Sequence, residues 1–275
     1  MEISAKSIDC AVKKSGLKGK CVCVHSSIKS FGAPVKGGAE AIIDVFLENG
    51  CTVMAPTFTW YDTAPPEGVK APKQNGMPKN GFTFSGEKGV AFSTDSDDIA
   101  TGDMGILARE LLLYEGRARG NHPICSFTAL GPYAKELIKE QEPMDVFAPL
   151  RELALFNGYF LLMGVGLNRL TAVHLAEQMA GRNMFIRWAR GPGGVTITVE
   201  TGGCSEGFGN IEPYLSGIGS RVTVGKSSWR VFPSGLFLKR AARVIQLYPG
   251  ITHCGDKNCV RCADSIKGGP VLPPG

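Results

Sequence analysis

The chain has 275 residues, of which 43% are hydrophobic, enough to bury the core of one large domain or of two closely packed smaller ones. Its 30 basic and 25 acidic residues give a net charge of +5 and are spread along the sequence, so no basic block predicts nucleic-acid binding. No apolar run approaches the ~18 residues that span a bilayer, and Glu2, Lys6 and Asp9 interrupt the apolar stretch that a signal peptide needs. We therefore expect a cytoplasmic globular protein without nucleic-acid or membrane partners.

The N-terminal elements predict a βαβ unit. Apolar residues at helical spacing predict a helix over 4–16, and the short β-branched run 21–27 predicts a strand. A glycine-bearing loop over 28–38 leads into an amphipathic helix at 39–48, and a second apolar run at 51–58 predicts another strand. Because two strands joined by a helix pair in parallel, we predict a parallel core with a right-handed crossover.

The remaining elements complete an α/β pattern. Helices are predicted at 104–114, 133–140, 149–155, 172–180 and 237–246, and strands at 124–130, 159–165, 195–200, 221–224 and 229–232. Beyond residue 191 the apolar residues recur mostly at every second position, which is typical of strands. We predict a single α/β domain over residues 1–275, with a mixed sheet whose parallel βαβ core is flanked by helices, and with a β-rich C-terminal portion.

Residues 61–101 differ in composition from the rest, because Pro, Gly, Lys, Asp and Ser dominate there. We interpret the segment as a lid-like insertion, since long irregular segments in compact domains commonly cover a functional site. Six acidic residues lie in or beside it: Asp62, Glu67, Asp95, Asp97, Asp98 and Asp103. Their carboxylates would suit a cationic substrate, but an acidic loop that is simply solvated is the equal alternative. The same segment carries lysines that would repel a polycation: Lys70, Lys73, Lys79 and Lys88.

The cysteines raise the question of a metal site in the tail, residues 251–275. Nine cysteines, six of them isolated, favour reduced thiols over a disulfide framework. In the tail, however, His253, Cys254, Cys259 and Cys262 fall within ten residues, a density that suggests structural zinc. Against zinc, the adjacent His253 and Cys254 cannot easily reach one ion, and the segment has only one Cys-x2-Cys pair. We favour plain thiols and predict no metal ligand, and the measured zinc content would decide.

His174 and Glu177 form the strongest catalytic candidate. Thr171 is a suitable N-cap, which places His174 in the first turn of a helix and Glu177 one turn later on the same face. The helix N-terminus disfavours a charged imidazole and the carboxylate favours it, so the two effects oppose. Glu177 would also select the tautomer that a general base needs. The structural alternative is a first-turn histidine with an incidental surface carboxylate, which spacing alone favours.

One loop and two turns are weaker candidates. The polar loop 25–32 follows the first predicted strand, where parallel sheets commonly hold anionic ligands. Its sequence matches neither a P-loop nor a dinucleotide-binding fingerprint, and it is also compatible with a plain polar turn. His122 precedes a proline and is expected to be a structural turn residue. Cys204, in a glycine-rich turn, has no histidine near it in sequence, so we expect no nucleophilic role.

These segments, taken in order, resemble the aminoglycoside 3-N-acetyltransferase family, also called the antibiotic N-acetyltransferase family. The resemblance extends from about residue 18 to residue 208 and, more loosely, to the tail. It rests on His25-Ser-Ser-Ile-Lys-Ser-Phe-Gly32, Gly37-Gly-Ala39, Met54-Ala-Pro-Thr57-Phe58, Gly105-Ile106, residues 117–123, Ser126-Phe127, Gly131, Gly164-Val-Gly166 and residues 171–177. The resemblance implies an antibiotic N-acetyltransferase fold and an enzyme that transfers acetyl from acetyl-CoA to an amine, without a catalytic metal.

The resemblance also implies roles for individual residues. His174 matches the family's general base, Glu177 matches the carboxylate that orients it, and Glu206 is a further candidate partner of the histidine. The coenzyme would be held by Ser26, Ser27, Lys29, Ser30, Phe31 and Gly32, with Ser126 and Phe127 alongside and Thr57 near the acetyl group. Direct attack by the amine needs no enzyme nucleophile.

The identity of the amine is the open point of the resemblance. The 3-amino group of a 2-deoxystreptamine aminoglycoside is the first expectation, and a less charged small amine is the alternative. The rival interpretations are a coenzyme-A-binding protein without turnover, against which the intact His174 and Glu177 argue, and a thiol- or zinc-dependent binding protein built on the tail. We keep a homodimer as a candidate assembly, although no charge or apolar pattern predicts a partner surface.

Overall fold

The computed structural model describes residues 2–78 and 91–272. Within them the helices are α1 (Ala5–Lys14), α2 (Gly38–Glu48), α3 (Thr101–Met104), α4 (Ile106–Leu113), α5 (Ala134–Ile138), α6 (Ala148–Leu155), α7 (Ala172–Met179), α8 (Ser234–Leu247) and α9 (Val260–Ile266). The strands are β1 (Cys21–Ser26), β2 (Thr52–Pro56), β3 (Ala118–Arg119), β4 (Phe127–Leu130), β5 (Tyr159–Met163), β6 (Phe185–Arg190), β7 (Thr196–Thr201), β8 (Ser220–Val224) and β9 (Ser227–Pro233).

The predicted parallel core is confirmed. Strand β1 pairs in parallel with β2 on one side and with β5 on the other. Alternate residues of β1 belong to two separate hydrophobic cores, Cys23 to one and Val24 to the other, and Phe160 and Leu161 of β5 divide in the same way. Helices cover both faces of the sheet, and this explains why β1 and β5 read as continuous apolar runs in the sequence.

The sheet is extended at both edges by antiparallel strands. Among the described residues, seven strands form one sheet in the order β3-β4-β2-β1-β5-β9-β8, while β6 and β7 form a separate hairpin. The β-rich C-terminal portion is therefore no unit of its own, because β9 pairs antiparallel with β5 of the central sheet.

Strand β6 escaped prediction because Arg187 interrupts its apolar run. In the structure this arginine is buried and donates hydrogen bonds to the carbonyl oxygens of Asn75 and Ile186, at 3.0 and 2.7 Å. The Asn75 side chain bonds in turn to the backbone of Ile186. A residue more than a hundred positions away thus accepts a hydrogen bond from the guanidinium, and no local pattern predicts such a contact.

The proposed lid contains neither helix nor strand in its described residues up to Ala100. Hydrogen bonds hold it to the hairpin β6-β7: the N–H of Thr63 donates to the carbonyl oxygen of Trp188, and the N–H of Phe92 donates to the carbonyl oxygen of Arg190. Arg119 also holds it, by donating to the carbonyl oxygens of Ser96 and Asp98. Lys79 and Lys88 lie outside the described residues. Whether the segment opens and closes over a site stays a prediction.

Within the described part of the chain, no helix combines the length and apolar character needed to cross a membrane.

Candidate active site

A cleft of about 980 Å³ lies where β1 and β5 end. Because the two strands run in parallel with Ser26 opposite Met163, their carboxyl ends meet at the same edge of the sheet. The cleft is lined there by residues 24–29, 164–166 and 168–171, and from the other side by the start of α4 and by residues 202–206. Its size suits a small-molecule substrate.

His174 lines this cleft from the first turn of α7 and is 8% exposed. Its Nδ1 lies 2.9 Å from Oε2 of Glu177, so the predicted contact between these side chains is present. Phe147 stacks on the ring at a centroid distance of 6.0 Å, and Phe208 packs edge-on at 4.7 Å. With its proton on Nδ1, facing the carboxylate, the ring keeps a lone pair on Nε2.

Glu177 is buried and belongs to a network that the sequence analysis missed. Its Oε1 accepts hydrogen bonds from the guanidinium of Arg182 and, at 2.9 Å, from the hydroxyl of Thr252. Burial raises the pKa of the Glu177 carboxyl, but the hydrogen bond and charge of His174 and the charge of Arg182 outweigh burial, so the pKa lies below its usual value. The carboxylate facing His174 is therefore held ionised.

The local sequence gave only part of this network. Arg182 follows α7 closely, and its guanidinium also donates to the hydroxyls of Thr252 and Ser265 and to the carbonyl oxygen of Pro249. Because it lies beyond the end of α7, five positions after Glu177, helical spacing does not predict this ion pair. The contribution of the tail had no signal, because it depends on chain folding over 70 to 83 positions.

Thr171 does not cap α7 with its side chain, contrary to our expectation. Its hydroxyl lies 3.2 Å from Nε2 of His25, and its N–H donates to the same nitrogen at 3.3 Å. Nε2 of His25 is therefore an acceptor. Burial lowers the pKa of His25 to about 3, so this second histidine at the cleft is neutral.

The backbone of Gly202 lies directly against the His174 ring. A Cβ at this position would stand 2.6 Å from Cδ2 and 2.8 Å from Nε2 of the imidazole, closer than real Cβ contacts come. The glycine is thus required by close approach rather than by an unusual backbone angle. Residues 202–206 and α7 together fix the position of the ring.

The residues of the loop 26–32, which the resemblance assigns to the coenzyme, fall into two groups. Ser26, Ser27 and Lys29 line the cleft, and their contact with the coenzyme stays a prediction. Ser30 and Phe31 do not line it, because the Ser30 hydroxyl bonds to the Ser27 carbonyl oxygen and to Ser227, and Phe31 is buried against Trp229.

Gly32 also lies off the cleft, where it packs against the side chain of Lys226. Its φ of +71° explains why the loop needs a glycine at this turn.

The other predicted coenzyme residues lie behind the cleft. The side chains of Thr57, Ser126 and Phe127 are fully buried. Thr57 bonds to the Ser126 carbonyl oxygen at 3.1 Å and to the hydroxyl of Thr128 at 2.8 Å, and Arg119 donates to the Ser126 hydroxyl at 2.9 Å. Because these side chains are buried and bonded within the fold, they do not line the cleft, and their contact with the coenzyme stays a prediction.

Glu206 lines the cleft but does not bond to His174. Within the described residues its carboxylate accepts a hydrogen bond from Asn168 at 3.3 Å. Among the acidic residues of the proposed lid region, Asp103 lines the cleft, whereas Asp97 pairs with Arg117 at 2.9 Å. Three cations, Lys29, Arg169 and Arg261, line the same cleft, and the last two had not been predicted.

His122 is the structural turn residue that the sequence predicts. Its Nδ1 accepts from the backbone N–H groups of Ile124 and Cys125 at 3.2 and 2.9 Å, and its Nε2 donates to the Glu200 carbonyl oxygen at 2.9 Å. Burial lowers the pKa of His122 to about 4. The ring holds the chain in a turn, so β4 begins at Phe127 rather than at the predicted residue 124.

Comparison with known proteins supports the resemblance. The family model described as aminoglycoside 3-N-acetyltransferase matches residues 23–246. An SPbeta prophage-derived aminoglycoside N(3')-acetyltransferase-like protein of Bacillus subtilis is 33% identical over 62% of this chain and 64% of its own length. Aminoglycoside N(3)-acetyltransferase III of a Salmonella species is 30% identical over 64% of this chain and 60% of its own. The matched regions thus span less than two thirds of these relatives.

Solved structures share the fold over nearly the whole chain. A histidine-to-alanine mutant of aminoglycoside acetyltransferase AAC(3)-IVa in complex with gentamicin superposes with a TM-score of 0.74, at 21% identity and 98% coverage of both chains. AAC-IIIb bound to CoASH superposes with a TM-score of 0.72, at 20% identity over 90% of this chain and 97% of its own.

The chain belongs to the aminoglycoside 3-N-acetyltransferase family.

Proposed function

We propose that this protein transfers the acetyl group of acetyl-CoA to the 3-amino group of a 2-deoxystreptamine aminoglycoside, by direct attack with His174 as general base. The observation that carries the proposal is the hydrogen bond from His174 Nδ1 to a buried carboxylate, beside a cleft in a chain of this family. Gentamicin bound to one structural neighbour and CoASH bound to another support the choice of substrates.

In this proposal, Glu177 has two tasks. It accepts the Nδ1 proton and so keeps Nε2 unprotonated until substrate arrives, and it stabilises the imidazolium that forms when Nε2 takes a proton. Arg182 and Thr252 bond to the other carboxylate oxygen, which keeps Glu177 ionised and directs Oε2 at the ring.

The coenzyme is assigned to the end of the cleft formed by β1 and the loop after it. Hydroxyls of Ser26 and Ser27 and the ammonium group of Lys29 are donors suited to the pyrophosphate and pantetheine groups. Arg169 and Arg261 add positive charge to the same cleft. Ser30, Phe31 and Gly32 act on this region indirectly, by fixing the loop from behind, as Thr57, Ser126 and Phe127 do for the neighbouring strands.

The acceptor is assigned to the carboxylates of the cleft. Asp103 and Glu206 both line it, and they would attract the ammonium groups of a polycation. Among the described lining residues, two carboxylates lie beside three cations, and this mixture of charges supports the binding of one anionic and one cationic substrate. A less charged amine is the alternative acceptor, because the other candidate carboxylates do not line this cleft.

The chemistry balances without an enzyme nucleophile. Acetyl-CoA supplies the thioester, and His174 Nε2 takes a proton from the amine as the nitrogen attacks the carbonyl carbon. The new C–N bond forms, the C–S bond breaks, and the imidazolium returns the proton to the departing thiolate. The products are an amide and free coenzyme A.

A thiol-release assay tests the function. The chain is incubated with acetyl-CoA and a panel of 2-deoxystreptamine antibiotics, and NMR of the product locates the new amide. We expect coenzyme release with acetylation at the 3-amino position. No release with any of these antibiotics, but release with other amines, would contradict the aminoglycoside assignment, and acetylation at another nitrogen would contradict the regiochemistry.

A further inference from the structure

Four cysteines from two distant parts of the chain meet beside the active site. Among the described residues, the Sγ atoms of Cys204, Cys254, Cys259 and Cys262 all lie within 4.8 Å of one another. This corrects two sequence-based expectations: Cys204 is not isolated, and the tail thiols gather around it rather than around His253. The His253 ring instead accepts a hydrogen bond from the N–H of Gly255.

The spacing of the four sulfurs matches a tetrahedral metal centre. Zinc binds cysteine thiolates at about 2.3 Å in closed four-coordinate sites, which places the sulfurs of such a site ~3.8 Å apart. Each of the four thiols here has the other three as close neighbours. Two disulfides would need only pairwise proximity, and all four cysteines are free in the structure.

The backbone around the cluster is arranged so that three neighbouring cysteines face one point. Cys259 is the N-cap residue of α9 and Cys262 lies in its first turns, so this Cys-x2-Cys pair shares one end of a helix. Gly255, with a φ of +89°, turns the chain after Cys254. The N–H of Cys259 donates to the carbonyl oxygen of Asp256 and closes the turn between the second and third cysteines.

We propose that Cys204, Cys254, Cys259 and Cys262 bind one structural zinc ion. Four cysteines fill a tetrahedral coordination sphere, so the ion keeps no open position for substrate and takes no part in acetyl transfer. The sequence analysis did not include Cys204 in this cluster, because it lies in the glycine-rich turn after β7, fifty positions before Cys254, the first of the other three.

The zinc site would connect two segments that position the catalytic pair. Cys204 follows the Gly202 backbone that packs against His174. The tail ligands lie between Thr252 and Ser265, whose hydroxyls contact the carboxylate of Glu177 at 2.9 and 3.5 Å. One ion thus joins the loop beside the histidine to the segment beside the glutamate, and makes the tail a part of the active-site scaffold.

Metal analysis of the full chain tests this proposal without reference to activity. The protein is purified under reducing conditions, without chelator and without a histidine tag, and its zinc is measured by mass spectrometry. We expect about one equivalent, lost in Cys254→Ser and Cys259→Ser and retained in Cys10→Ser, which alters an exposed thiol outside the cluster. Less than ~0.2 equivalents in the unaltered chain would overturn the proposal, as would zinc that persists in both cluster variants.

A second measurement uses the unaltered chain and therefore remains informative if the cysteine variants fail to fold. Cobalt(II) exchanged into the unaltered chain should give the intense visible d–d bands and the sulfur-to-metal charge transfer of a tetrahedral tetrathiolate site. An octahedral spectrum would overturn the proposal, and so would peptide mapping of the unreduced protein that finds these cysteines in disulfides. None of these results depends on the acceptor, so they are distinguishable from a failure of the proposed acetyl transfer.

Discussion

Gly202→Ala should lower acetyl transfer by displacing His174, the proposed general base. The added methyl group would stand 2.6 Å from Cδ2 of His174, about 0.8 Å inside ordinary van der Waals contact. The ring cannot move without loss, because Glu177 holds it from one edge and Phe147 and Phe208 pack against it. Since a misplacement of ~1 Å at a reacting group costs about 100-fold, we expect kcat to fall by roughly that factor.

The assay compares kcat, KM and melting temperature with those of Gly209→Ala, a matched control in which the new Cβ meets nothing within 4 Å. Overpacking costs ~1–3 kcal/mol, so Gly202→Ala should still fold. The control should match the unaltered enzyme. If Gly202→Ala kept kcat within twofold at an unchanged melting temperature, the loop would not be what fixes the histidine, and this part of the account would be wrong.

Three further predictions concern charge. Arg182→Met removes a cation that, after His174, contributes to the lowered pKa of Glu177, so this carboxylate should protonate at higher pH. The acid limb of kcat/KM and the loss of stability on acidification should both move upward, and the broken buried pair should cost about 3–5 kcal/mol at neutral pH. An unmoved pH profile would contradict the role of Arg182. Burial raises the pKa of Glu200 to about 7, and its Oε2 has no hydrogen-bond partner within the described residues. Ionisation of Glu200 therefore destabilises the fold as pH rises, so Glu200→Gln should raise the melting temperature at pH 8 more than at pH 5. An equal effect at both pH values would refute this. Lys29→Met should raise KM for acetyl-CoA about tenfold with kcat nearly unchanged. Lys36→Met, at an exposed position, is the control and should change neither constant. A loss of kcat without an effect on KM would contradict the assignment of Lys29 to the coenzyme.

The sequence predicted the fold where local patterns dictate it. The βαβ unit was readable because a continuous apolar strand, a loop and an amphipathic helix each follow from short-range periodicity. Elements that depend on contacts with residues distant in the sequence could not be predicted in this way. Strand β6 contains a buried arginine satisfied by Asn75, and β4 is shortened because His122 binds the backbone N–H groups that precede it.

The same distinction holds for the candidate site. A contact between His174 and Glu177 follows from helical spacing, since residues three apart share a face. Of the residues that the resemblance assigns to the coenzyme, Ser26, Ser27 and Lys29 line the cleft, but the resemblance could not tell which side chains of the motif line it and which support the loop. Residues brought in from the tail, such as Thr252, needed the folded chain.

The central claim is that His174 is the base of a direct acetyl transfer, and steady-state turnover of His174→Ala with acetyl-CoA and an accepted aminoglycoside tests it most directly. We expect kcat to fall at least ~100-fold, the size expected for lost general-base catalysis, while acetyl-CoA affinity stays nearly intact. Turnover close to that of the unaltered enzyme would remove His174 from the mechanism.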